Sequence, residues 1–90
     1  MKVKFSKHAE CQLIERQISK TLVNRVLSKP QQIVPGTKGR KIAQSIIELD
    51  NVNMLIRVVY QERNDYFEVI TVYYTTRIDK NWRDFDADTV

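Results

Sequence analysis

The spacing of apolar residues changes once along the chain, and that change separates a helical lead from a run of strands. Val3 to Phe5 is short and reads as extended. Ser6 offers a side-chain oxygen to cap a helix from Lys7 to about Gln17, with Ala9, Leu13 and Ile14 as its buried stripe. Ser19 caps a second helix to about Ser28. Its Leu22, Val23, Val26 and Leu27 share one face, and Pro30 stops it. From Gln31 the period shortens. Ile33 and Val34 make a short strand, and Pro35-Gly36-Thr37-Lys38-Gly39 is rich enough in turn formers to reverse the chain as a hairpin loop. Arg40 to Leu49 then reads as a long strand and Asp50 to Asn53 as a turn. Met54 to Glu62 is a strand dense in β-branched residues, Arg63 to Asp65 another turn, and Phe67 to Thr76 the last strand.

Short turns between successive strands predict an antiparallel meander. Apolar runs such as Met54-Leu55-Ile56 and Val58-Val59-Tyr60 predict that one face lies under the helices while the other is only partly wet. The expected architecture is α+β, with two N-terminal helices packed on one face of a four-stranded antiparallel sheet. Ile78 to Trp82 closes the domain as a short helical turn or an extended segment, with Trp82 as its anchor.

Ninety residues leave no room for a second core, so residues 1–90 are expected to form a single domain, without internal repeat or linker. A composition 42% hydrophobic and 29% charged excludes collagen-like, low-complexity and disordered classes. No apolar run approaches the roughly 18 residues of a membrane span, and Met1 to Lys7 lacks a signal peptide's apolar stretch. A cytoplasmic protein without membrane attachment is expected. Cys11, the single cysteine, can form neither an internal disulfide nor a structural zinc site.

The charge is unevenly spread. Residues 1–45 carry ten Lys or Arg against Glu10 and Glu15, whereas residues 46–90 carry five against nine acids. A half this basic suits a polyanion such as nucleic acid, because each neutralised phosphate releases condensed counterions. The acidic residues of the C-terminal stretch from about 83 to 90, Asp84, Asp86 and Asp88, read as a solvated tail.

Three constellations could carry chemistry. His8, the only histidine, falls with Gln12, Glu15 and Arg16 within an arc of about 100° on the first helix. An imidazole for proton transfer and a guanidinium for phosphate are what metal-free RNA cleavage requires. The plainer reading is that His8 helps the helix start or bonds the sheet edge. Lys38, Arg40 and Lys41 cluster around Gly39 at the hairpin and resemble a phosphate-contacting loop, although basic hairpin tips are usually just solvated. The last strand ends in Tyr73, Tyr74, Thr75, Thr76 and Arg77, hydroxyls and a cation that could hold a phosphate and stack a base; otherwise the two tyrosines are one core and one edge residue. One His, one Cys and scattered carboxylates give no metal-ligand spacing, and Cys11 with His8 is a weak nucleophilic pair. No metal and no cofactor is expected.

The pattern F-S-x-H-A at Phe5 to Ala9, E-R-x-I-S at Glu15 to Ser19 and V-I-T-V-Y at Val69 to Tyr73 resembles a family of short bacterial domains of unknown function. Its layout is similar to that of the RelE, ParE and BrnT toxins of toxin-antitoxin pairs. Where the pattern commonly has glycine, this chain has Gln17, which alters the turn between the helices. The resemblance implies a metal-independent ribonuclease toxin, neutralised by a cognate antitoxin. It implies His8, Arg16 and Arg77 as catalytic residues, and RNA contacts from the strand end at Tyr73, Tyr74 and Thr76 beside the basic hairpin. The alternative is a nucleic-acid-binding or target-inhibiting module of the same fold without enzymatic activity.

Overall fold

Two serines start the two leading helices. In the computed structural model, which describes residues 2–83, Ser6 Oγ accepts the amide of Ala9 at 3.0 Å and Ser19 Oγ accepts that of Leu22 at 3.1 Å. Each satisfies an amide that the first helical turn leaves without a partner. The elements in chain order are β1 (Lys2–Phe5), α1 (Lys7–Arg16), α2 (Lys20–Ser28), β2 (Gln32–Pro35), β3 (Lys41–Leu49), β4 (Val52–Glu62), β5 (Tyr66–Thr75) and α3 (Ile78–Asn81).

The strands form one five-stranded mixed sheet in the order β1-β5-β4-β3-β2. This corrects the expected four-stranded antiparallel sheet carrying two helices. The β2-β3-β4-β5 meander is antiparallel, but β1 adds a fifth strand parallel to β5, from Lys2 opposite Tyr66 to Phe5 opposite Val69, and α3 is a third helix. A parallel neighbour is not reached through a tight turn, so no turn signal announces it. Four residues are also too few to display a period of their own.

The turns follow from local chemistry. Asp50 and Asn51 both have positive φ, 51° and 63°, between paired Leu49 and Val52, a two-residue reversal suited to short polar side chains. In the basic hairpin Lys38 and Gly39 take φ of 58° and 75°, and the amide of Arg40 reaches the carbonyl of Thr37 at 3.1 Å. Between α1 and α2, Gln17 is left-handed at φ 54°, and the amide of Ile18 returns to the carbonyl of Leu13 at 2.9 Å. This closure favours glycine at Gln17, with buried Leu13 and Ile18 meeting beneath it.

The core lies between the helices and one face of the sheet. Ala9, Leu13, Ile18, Val23, Val26 and Leu27 pack on Ala43, Ile56, Val58, Tyr60, Val69 and Val72, and β1 contributes Val3 and Phe5 at the margin. Burying a residue such as Val23, Ile56 or Val72 contributes about 1.5–3 kcal/mol. A register shift between Val59 and Tyr60 skips Ile70, and Tyr60 stacks on Phe67 with ring centroids 4.9 Å apart. Ile14, expected in the buried stripe, is 80% exposed, because α1 turns Ala9, Gln12 and Leu13 inward instead. The acidic stretch from Asp84 lies outside the described residues. No described helix is long and apolar enough to cross a membrane.

Candidate functional site

Strand alternation divides the expected site residues between two faces. Ile56 and Val58 face the helices, so Arg57 between them faces the other side, and the register carries that side through Tyr73. Tyr74 points into the helix-side core, where burial raises its pKa above the usual phenol value. The two tyrosines therefore stand on opposite faces of the sheet.

Helix α1 belongs to the helix layer. His8 is exposed in its first turn, and Arg16 stands eight residues further, about 12 Å along the axis. Arg16 is engaged with the sheet, its Nη1 donating to the carbonyl of Val72 at 2.8 Å. Thr76 and Arg77 follow the end of β5, both exposed. The basic hairpin sits at the opposite end of the strands: Lys41 and Ile46, the latter in line with Leu55 and Thr75, are five residues apart on β3, or about 17 Å. Lys38 is exposed and Arg40 half-buried, while Lys41 donates to Glu62 at 2.6 Å, a bond that raises the lysine pKa. The structure brings Lys38, Arg40 and Lys41 together on one hairpin, whereas His8 and Arg16 stand at opposite ends of α1 and Arg77 follows β5.

The structure also gathers a row that the sequence reading passed over. Gln32, Gln44, Arg57 and Tyr73 stand opposite one another on β2, β3, β4 and β5, spanning about 14 Å across the face away from α1 and α2. Gln44, wholly buried, donates from Nε2 to Gln32 Oε1 at 2.7 Å and accepts Arg57 Nε at 2.8 Å on its own Oε1. Arg57 Nη1 donates to the Tyr73 hydroxyl at 2.6 Å and to Asn81 Oδ1 on α3 at 2.9 Å. The C-terminal segment locks over the row: the amide of Arg83 donates to Gln32 Oε1 at 2.8 Å, Gln32 Nε2 returns a bond to the Arg83 carbonyl, and Asn81 Nδ2 donates to the Arg77 carbonyl at 2.8 Å.

The electrostatics of this row are unusual for a half-buried cation. The ion pairs among the described residues are Lys20 with Glu10, Lys41 with Glu62 and Arg63 with Glu68, so the described partners of Arg57 are all neutral oxygens. Among the described residues its Nη2 has no partner. A guanidinium partly withdrawn from water gains from an anion, and its planar fork matches the oxygens of a phosphate. Two surface grooves lie elsewhere: one of about 260 Å³ between Leu13, Ile14 and Ile18, and one of about 400 Å³ beneath the hairpin, from Ile33 to Gly36 and from Gly39 to Lys41. No three His, Cys, Asp or Glu side chains among the described residues converge as metal ligands.

Arg57, Gln44 and Asn81 escaped the sequence reading because Arg57 lies inside an apolar run, where a lone cation looks like an interruption. The available signal was the alternation within β4, which places Arg57 on the face opposite Ile56 and Val58; the register then adds Gln44 and Tyr73.

Residues 5–74 match the family described as Domain of unknown function (DUF4258), and the chain belongs to that family. The match spans β1's last residue through most of β5 and ends before α3. No curated protein matches the chain, and no solved structure matches it.

Proposed function

Starting from a family whose fold comes without an assigned chemistry, we propose that the protein binds RNA, gripping a backbone phosphate with Arg57 on the sheet face away from α1 and α2. One observation carries this reading: a half-buried guanidinium, fixed by Gln44 and Tyr73, with no carboxylate partner among the described residues. The basic N-terminal half supplies the long-range attraction, with Lys38 and Arg40 at the hairpin as further phosphate contacts and Tyr73 as a surface for a base. RNA binding of this kind belongs in the cytoplasm.

The test is binding of a labelled single-stranded RNA by wild type and Arg57→Gln across a salt series. A real phosphate contact weakens on substitution and lowers the salt slope by about one. Equal affinity and equal slope for the two proteins would remove the reading.

A second reading is favoured by the Tyr73 hydroxyl, 2.6 Å from that guanidinium. A group able to pass a proton then sits beside the bound phosphate, as metal-independent RNA cleavage needs. In that reaction the ribose 2′-oxygen loses its proton and bonds to phosphorus, the bond to the 5′-oxygen breaks, and that oxygen takes up a proton. The protein would then be a metal-independent ribonuclease toxin of a toxin-antitoxin pair, held in check by a cognate antitoxin. Incubating total RNA with wild type and Tyr73→Phe in the presence of chelator separates binding from cleavage. Intact RNA under conditions of saturating binding leaves the binding module alone.

A further inference from the structure

Among the described residues the guanidinium of half-buried Arg57 has partners on Nε and Nη1 and none on Nη2. A guanidinium holds an oxyanion with two parallel N–H bonds along one edge, and both edges use Nη2, paired with Nε on one and with Nη1 on the other. Nε is committed to Gln44, which is wholly buried within the sheet. Nη1 is committed to Tyr73 and to Asn81. A phosphate can therefore be held bidentately only if one of these contacts is given up. Asn81 is the one that can leave: it sits on a four-residue helix outside the segment that matches the family, whereas Gln44 and Tyr73 are fixed in the sheet, and its departure also opens the 3.2 Å bond from Gln44 Nε2 to the Asn81 carbonyl and the two Gln32–Arg83 bonds.

We infer that α3 is a displaceable strap, with the Asn81 carboxamide oxygen standing in for an anion oxygen on Arg57, so that phosphate binding and release of α3 are one event. The inference rests on the proposed role of Arg57 and goes beyond it by making the chain its own competitor. Trp82, the only tryptophan, directly follows α3 and is half-buried, so it reports the release.

The experiment compares wild type, Asn81→Ala, Asn81→Asp and Arg57→Gln, each checked for folding by circular dichroism, for affinity toward one labelled single-stranded RNA. Tryptophan emission is followed with the same RNA unlabelled. Asn81→Ala, which removes a neutral competitor, is expected to bind roughly two- to tenfold tighter. Asn81→Asp places a carboxylate on Arg57 and is expected to bind more weakly than wild type, with the Trp82 red-shift that RNA produces in wild type absent. If Arg57→Gln binds like wild type, the phosphate site itself is lost. If Arg57→Gln weakens binding while Asn81→Ala binds no tighter, or Trp82 does not shift in wild type, the site stands and the strap is overturned.

Discussion

Arg16 donates a hydrogen bond from Nη1 to the backbone carbonyl of Val72 at 2.8 Å, and Gln12, one turn earlier on the same helix face, accepts the Val72 amide at 2.9 Å. Strand β1 covers β5 only from Tyr66 to Val69. Beyond that point the outer edge of β5 would be open, and α1 closes it with side chains in place of another strand. Ser6 begins the same cover, its hydroxyl donating to the Ile70 carbonyl at 3.2 Å.

Gln12→Leu leaves the buried Val72 amide without an acceptor and is expected to cost about 1–3 kcal/mol in urea unfolding. Arg16→Ala, which removes a donor from a carbonyl nearer to water, is expected to cost less. Protection of the Val72 amide from hydrogen exchange should fall in Gln12→Leu before that of Val58 in the sheet centre. An unchanged urea midpoint in Gln12→Leu contradicts this account of the edge.

Gln17→Gly is expected to stabilise the fold by about 0.5–1 kcal/mol, since a side chain at φ 54° carries a penalty that glycine lacks. For a domain of this size that raises Tm by roughly 2–8 °C. A lower Tm would mean that the Gln17 side chain makes a contact worth more than the strain.

Burial raises the pKa of Tyr74, and for Tyr60 burial is again the main cause, partly opposed by nearby Lys41. Both phenols are thus held protonated more firmly in the folded state than in the unfolded one. Their contribution is complete below the ordinary phenol pKa of 10.0 and is lost as pH rises through the higher folded values. Alkaline unfolding followed by circular dichroism should coincide with tyrosinate absorbance, and Tyr74→Phe should shift the transition to higher pH. A Tyr74→Phe transition identical to that of wild type contradicts this.

His8→Ala is expected to bind single-stranded RNA with the affinity of wild type, because His8 is carried in the helix layer and Arg57 faces the other side of the sheet. A cleavage assay on the same variant then isolates any proton-transfer role of the imidazole. A loss of affinity in His8→Ala equal to that in Arg57→Gln moves the RNA to the helix side.

Local signals were sufficient for much of the fold. Ser6 and Ser19 cap where their position before an apolar stripe implies, Pro30 follows the end of α2, and Asp50-Asn51 reverses the chain, since each acts through bonds to residues a few positions away. The site was less legible. His8 and Arg16 share an arc of the helix wheel, yet that arc includes the edge of β5, and Arg16 is drawn to the Val72 backbone. Tyr73 was noticed for its chemistry, but its partner Arg57 lies sixteen positions away and becomes a neighbour only through the register of β4 with β5.

Period, caps and turn residues by themselves determined two leading helices, four successive antiparallel strands and a basic first half, because those features depend on neighbours in the chain. Tertiary structure alone decided that Lys2–Phe5 joins β5 in parallel, that α1 side chains finish the edge of that strand, and that Gln32, Gln44, Arg57, Tyr73 and Asn81 form one hydrogen-bonded group. Those are contacts between residues far apart in sequence, and their energies depend on strand order and register, which no local pattern encodes.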